Sequence, residues 1–179
     1  HRFLRVPRNF PIMGDCGAFD YIEEKTPPYT TDDVLEYYTR LDLAAGVSVD
    51  HLIVPAFYAD KQFRYDVTVQ NAEDFLSEHR KRGLAWTPIG AVQGWDPESY
   101  ARAAAAYIQM GYKYLGLGGL VRCSTKEITQ ILQAVKPVLK PGIDVHLFGI
   151  ARPDALPVFT SLGVTSVDSA SHLRRAWLV

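Results

Sequence analysis

The sequence predicts an α/β protein on a parallel sheet of the (β/α)8 TIM-barrel type, present as a partial barrel of about six βα units. Three observations carry that prediction. Short apolar runs alternate with helical stretches along all 179 residues, and strand–helix–strand repetition means a parallel sheet with right-handed crossovers. Polar or glycine residues end every run (Asp15, Asp50, Gln93, Gly118 and Gly119, Gly149, Asp168), and barrel enzymes collect their chemistry at that rim. No GxGxxG or GxxxxGKS/T follows the first run, which weakens the competing doubly wound nucleotide-binding sheet.

Taken in order, the first strand is expected at residues 10–14, followed by a helix in "TTDDVLEYYTRLDLAAG" whose apolar residues recur at helical spacing up to a terminal glycine. The second strand is expected at 47–54, and "AEDFLSEHRKRG" reads as the next helix, again ending in glycine. A third strand is expected at 86–92, weakened by Pro88, since proline cannot donate to a ladder. Asp96, Pro97 and Glu98 then supply an N-cap, a proline at the first helical position and an acid in the first turn. That helix runs through "SYARAAAAYIQM" to Gly111, a glycine stop. The fourth strand is expected at 114–118, before a capping box from Ser124 to Glu127 that opens "ITQILQAVKPVL". A fifth strand at 144–148, a helix from Pro153 to near Gly163 and a sixth strand at 165–167 complete the reading. Six strands are two short of a closed barrel.

No linker, repeat or low-complexity segment divides the chain, so residues 1–179 read as a single partial-barrel domain, long enough for a substantial core. Its 47% apolar and 22% charged residues are those of an ordinary soluble protein. A net charge of −1 does not announce a nucleic-acid binder, although a local basic rim would serve an enzyme acting on nucleic acid. Cys16 and Cys123 form neither a CxxC pair nor a zinc spacing. With no signal peptide or membrane-length apolar run, the expected setting is reduced and cytoplasmic, away from membranes. The chain starts at His1, and both ends read as cut from something longer.

In a barrel, Asp15, Asp50 and Asp168 would all point toward one mouth. Paired carboxylates there suit glycosidic chemistry, one attacking or stabilising the anomeric carbon and the other handling protons. Taken singly, such an acid more often caps a helix or sits in a solvated loop; the threefold repetition is what points to a shared site. The Gln93 amide offers a donor and an acceptor to the edge of a planar heterocycle. Gly118 and Gly119 would let a ligand approach the backbone, or simply make a tight turn. Met13, Phe19, Tyr21, Trp95 and Phe148 are pocket-wall candidates, though aromatics at strand ends are more often core. His51 and His146 fall at strand positions and, with the acids, leave open a metal-dependent barrel hydrolase. A non-catalytic partner subunit is the third alternative, disfavoured by the presence of both Asp15 and Asp168.

The segments "MGDCGAF", "VSVDHLIVP", "IGAVQGW", "GYKYLGLGGLV", "HLFGIARPDAL" and "GVTSVDSAS" occur in the order of the tRNA-guanine transglycosylase superfamily, which this chain resembles over nearly its whole length. The family reads DSGGFQ, an Asp-containing strand, GxxQG, a GGL turn, an MG turn and FDS or FDC. The resemblance implies a general acid/base at Asp15 and a nucleophile at Asp168. It implies base-reading groups at Asp50, Gln93 and the Gly118–Gly119 backbone, with Cys16, Leu120, Phe148 and Gly149 around the base. Cys16 stands where the tRNA enzymes have Ser, Ala18 where they have Gly, and Asp20 where they have Gln. "SASHLRRAW" replaces their Pro-Thr-Arg segment. These departures make the chain more like the DNA-guanine transglycosylase branch, which inserts 7-deazaguanine bases into DNA. The implied partners are nucleic acid, DNA favoured over tRNA, and a 7-deazaguanine base such as 7-cyano-7-deazaguanine. Arg122, Arg152, Arg174 and Arg175 are candidates for phosphates. No cofactor is implied within residues 1–179, and the family's structural zinc would lie beyond Val179. By this alignment the first two barrel strands are missing, and the open edges lead us to expect a marginally stable or self-associating chain.

Overall fold

The computed structural model describes residues 4–7, 9–170 and 176. Arg174 and Arg175 lie outside them. Six strands, β1 (Met13–Gly14), β2 (Ala45–Val47), β3 (Thr87–Val92), β4 (Tyr114–Leu117), β5 (Asp144–Leu147) and β6 (Ser166–Val167), pair in chain order, every neighbour parallel. Helices α1 (Thr31–Arg40), α2 (Lys61–Lys81), α3 (Pro97–Met110), α4 (Thr125–Val135) and α5 (Leu156–Ser161) fill the crossovers. The sheet curls into a partial β/α barrel, so side chains at the tips of β1 and β6 line one cavity. Among the described residues no helix is long and apolar enough to cross a membrane.

Strand alternation sorts the chain into two layers. Leu115, Leu117, Val145 and Leu147 point outward and join Ala103, Ala104, Tyr107, Ile128, Ile131, Leu132 and Phe159 from the helices. Val34, Leu35 and Tyr38 of α1 meet Phe75 of α2 in a neighbouring cluster. The opposite parity fills the concave interior with Val47, Ile89 and Ala91, backed by Met13, Ala45, Tyr114 and Phe148.

The caps of α3 and α4 form as expected. Asp96 accepts from Ser99 N, Ser124 accepts from Glu127 N, and α3 stops at Gly111 with φ +103°. Pro88 does belong to β3, pairing with Gly46. Thr87 N donates to Ala44 O and Ile89 O accepts from Ser48 N, so the odd residues face β2. Pro88 therefore turns its missing N–H toward β4, whose pairing begins further on at Gly90.

Three expectations fail. The first helix ends at Arg40, not Gly46, because Ala45 and Gly46 are claimed by pairing with Met13 and Gly14. The second strand stops at Val47; Ser48 still bonds β3 through its N–H and Oγ, and the buried segment from Val49 to Val54 leaves the ladder. The helix expected from Ala72 begins at Lys61, preceded by a 3-10 turn at Pro55–Asp60.

Candidate base-binding and catalytic site

At the carboxyl ends of the strands a cavity of about 490 Å³ is lined by Asp15, Asp50, Gln93, Gly118, Gly119, Phe148, Gly149 and Asp168, with Phe19, Val121 and Arg122 among its other walls. A wider groove of about 690 Å³ lies outside the barrel, against α2 and Tyr29, and holds none of the residues singled out by sequence.

The floor is a buried polar pair. Asp50 is buried, and its Oδ2 accepts from Gln93 Nε2 at 2.6 Å while its Oδ1 accepts from Cys16 Sγ at 3.1 Å. Burial pushes the Asp50 carboxyl up to about 6, against the pull of the Cys16 and Gln93 hydrogen bonds. Gln93 is 2% exposed, and its Oε1 has no hydrogen-bond partner among the described residues. A buried acceptor left unpaired costs about 1–3 kcal/mol, so the floor is built to receive a donor. Gln93 packs so closely on Gly118 and Gly119 that a Cβ at either would collide with its amide.

The two outer carboxylates differ. Asp15 is solvent-accessible, yet the cavity walls desolvate it and raise its carboxyl, helped by the Asp168 charge and opposed by the Cys16 and Gly17 backbone N–H groups. Asp168 is held below the usual carboxylate range, first by its His146 hydrogen bond and further by Gly149 N–H. Gly149 N donates to Asp168 Oδ1 at 2.7 Å from a backbone with φ +70°, a conformation glycine adopts without penalty. One carboxyl is thus biased toward carrying a proton and the other toward ionisation, the division acid–base chemistry needs.

Two assignments require correction. Leu120 is fully buried in the helix-side core and is no pocket wall; Val121 and Arg122 occupy that part of the cavity. The glycine turn carries the chain outward one residue later than the motif suggested. Cys16 lies behind the cavity instead of lining it, bonded to Asp50 and to Tyr21 OH at 3.1 Å. Of the other pocket-wall candidates, Phe19 lines the cavity, Met13 sits below it and Tyr21 donates to Asp50 O. Trp95 packs on Tyr65 beneath Lys61 and Arg102. Arg152 spends two nitrogens on Thr125 Oγ1 and Cys123 O, tying the loops after β4 and β5 together.

The histidines serve different ends. His51 Nε2 lies 3.1 Å from Glu24 O, outside the cavity lining, whereas His146 contacts Asp168. Among the described residues no three His, Cys, Asp or Glu side chains are grouped to hold a metal ion. Sequence reasoning placed His146 only as a metal candidate. Its position two residues before Phe148 on one strand face was the available signal.

A family model described as queuine tRNA-ribosyltransferase matches residues 1–177. A DNA-guanine transglycosylase of Salmonella montevideo is 40% identical over 98% of this chain and 44% of its own length. The tRNA-guanine(15) transglycosylases of Aeropyrum pernix and Methanopyrus kandleri are 28% and 24% identical, over 97% and 90% of this chain and 34% and 36% of theirs. The chain thus spans less than half the length of these relatives.

Proposed function

The chain belongs to the queuine tRNA-ribosyltransferase family, and on that premise we propose that it forms the base-exchange site of a guanine transglycosylase acting on nucleic acid, DNA in preference to tRNA. The observation that carries the reading is one cavity in which Asp15, its carboxyl raised by desolvation, faces Asp168, its carboxyl lowered by His146, above the Asp50–Gln93 pair with its unpaired acceptor.

Asp168 attacks C1′ of a guanosine unit. The C1′–N9 bond breaks, its electron pair leaves with guanine, and Asp15 supplies the proton guanine needs. A 7-deazaguanine then enters the same site. Its ring N9 loses a proton to Asp15 and bonds to C1′, and the C1′–Asp168 bond returns its electron pair to the carboxylate. Two inversions give net retention, and no redox group takes part. Asp50 and Gln93 read the ring N–H and exocyclic amino donors, with the Gly118–Gly119 backbone alongside. A base within a duplex must first be flipped out.

The preference for DNA rests on the 40% identity to a DNA-guanine transglycosylase, against 28% or less for the tRNA enzymes named above, and on Asp15-Cys16-Gly17-Ala18-Phe19. The structure puts Cys16 under Asp50, where a thiol is a weaker donor than a hydroxyl. The choice of 7-cyano-7-deazaguanine as incoming base follows the resemblance to the DNA branch. The test is to incubate the full-length protein with labelled 7-cyano-7-deazaguanine and either duplex DNA or unmodified tRNA. Label should enter DNA. Label entering tRNA alone would return the chain to the tRNA branch, and label entering neither would overturn the reading.

A further inference from the structure

Behind Asp168 a line of polar side chains runs down the barrel interior, and the double displacement as written leaves it unused. His146 on β5 lies opposite Ser166 on β6 and is 3% exposed. Its Nε2 is 3.2 Å from Asp168 Oδ1 and its Nδ1 is 2.8 Å from Ser166 Oγ, which is 2.7 Å from Tyr114 OH. The ring stands edge-on to Phe148, with centroids 4.7 Å apart.

We propose that His146 is a positioning residue for Asp168, holding one carboxylate oxygen so that the other forms the glycosyl bond, and stabilising the carboxylate as it departs. The proposal rests on the transglycosylase reading above. An ionised carboxylate only accepts, so Nε2 must carry the hydrogen. In a neutral imidazole Nδ1 is then an acceptor, and the Ser166 hydroxyl fills it, accepting in turn from Tyr114. All four groups are satisfied when donation runs from Tyr114 to Ser166 to His146 to Asp168. The hydroxyl chain therefore selects the tautomer that serves the carboxylate.

His146 and the Gly149 N–H converge on Oδ1. Oδ2 takes neither bond and is the oxygen that attacks C1′. In the glycosyl-enzyme Oδ2 is the ester oxygen and Oδ1 the carbonyl. As the incoming base bonds to C1′, the C1′–Oδ2 bond breaks, its electron pair returns to the carboxylate, and the base's proton passes to Asp15. Negative charge then grows on Oδ1, where both donors are already aimed. Loss of His146 thus slows release from Asp168 more than attack by it.

The test follows formation and breakdown of the covalent adduct on denaturing gels, with the full-length protein, the polymer that wild type labels, and 7-cyano-7-deazaguanine to resolve the adduct. His146→Phe should accumulate adduct and resolve it about ten- to a hundredfold more slowly. His146→Gln, whose amide can still donate, should recover part of the rate. The titratable groups facing His146 are Asp168, Asp15 across the cavity and Tyr114. With the donor gone, Asp168 should protonate more readily, and the acid limb of adduct formation should move to higher pH. Should His146→Phe not fold, Ser166→Ala leaves the carboxylate contact in place and frees the tautomer. It should slow resolution by a smaller factor and weaken the Nε2–H signature in imidazole 15N spectra. Resolution at the wild-type rate in His146→Phe, or in Ser166→Ala where His146→Phe does not fold, overturns the proposal alone, as does equal loss of formation and resolution. A wild-type protein that forms adduct with neither DNA nor tRNA overturns the transglycosylase reading and this inference with it.

Discussion

A carboxyl as deeply buried as that of Asp50 opposes folding when ionised, and its raised pKa of about 6 measures that opposition. The folded chain binds this proton more tightly than the unfolded chain, so the contribution is fully present below the unfolded value near 3.8 and is lost as pH rises through about 6. Across that shift it amounts to something on the order of 3 kcal/mol. Asp50→Asn should therefore raise the melting temperature at pH 7 and flatten its pH dependence between pH 4 and 7. The Gln93 amide can turn over, presenting its unpaired Oε1 to the new amide. The same variant should lose base binding, because a carboxylate facing ring N–H donors makes bonds worth about 1.5–3 kcal/mol each. Melts at two pH values beside a base-binding titration check both halves, and a variant no more stable than wild type at pH 7 would contradict the first. For the outer acids, Asp168→Ala should abolish the covalent adduct outright. Asp15→Ala should cut turnover by roughly 10²–10⁴-fold, the usual contribution of a proton-transfer group. An adduct surviving in Asp168→Ala would move the nucleophile elsewhere.

At the scale of elements, the site depends on a segment that belongs to none. Residues 49–54 leave the sheet after β2, and side chains of α2 and the preceding loop hold them. Arg64 donates to Leu52 O at 3.0 Å and to Ile22 O at 2.9 Å, with its guanidinium 4.3 Å above the Phe57 ring. Thr68, one turn on, accepts from His51 N, and His51 reaches Glu24 O. These contacts bind the loop after Asp15 to the strand end carrying Asp50. Arg64→Met keeps most of the apolar stem but leaves two carbonyls unpaired, at about 1–3 kcal/mol each where water cannot reach them. It should lower stability, speed amide hydrogen exchange around residues 20–25 and 50–54, and reduce base exchange. Unchanged exchange in those segments would show that the arginine is no tether. The frame around this segment could be read from sequence, because Asp96, Ser124 and Gly111 act through local geometry and the apolar rhythm marks six strands. The extent of β2 and the start of α2 could not. "VSVDHLIVP" is as apolar as a strand, and its departure from the ladder is decided by Arg64 and Thr68, which lie beyond it in the chain. Leu120 was misplaced for a related reason: a glycine turn settles which of Leu120 and Val121 faces the cavity, and the motif carries no such angle.

For the whole molecule, the site draws on both ends of the sheet. Asp15 follows β1 and Asp168 follows β6, the outermost of the six described strands, and the curl of the sheet brings both acids to the lining of one cavity. Among the described residues the outer sides of β1 and β6 pair with no other strand. Each is two residues long, short enough to limit but not abolish edge pairing. The 179-residue chain on its own should therefore associate with rising concentration, and association through these edges should alter the Asp15–Asp168 spacing. Sedimentation velocity from low to high micromolar concentration would show the mass rising. A lysine in place of Val167 would test whether the edge is responsible, since a charge on an edge strand opposes pairing. Association that persists undiminished in Val167→Lys would place the contact elsewhere, and a monomer at every concentration with a single cooperative melt would show that the partial barrel needs no further strand.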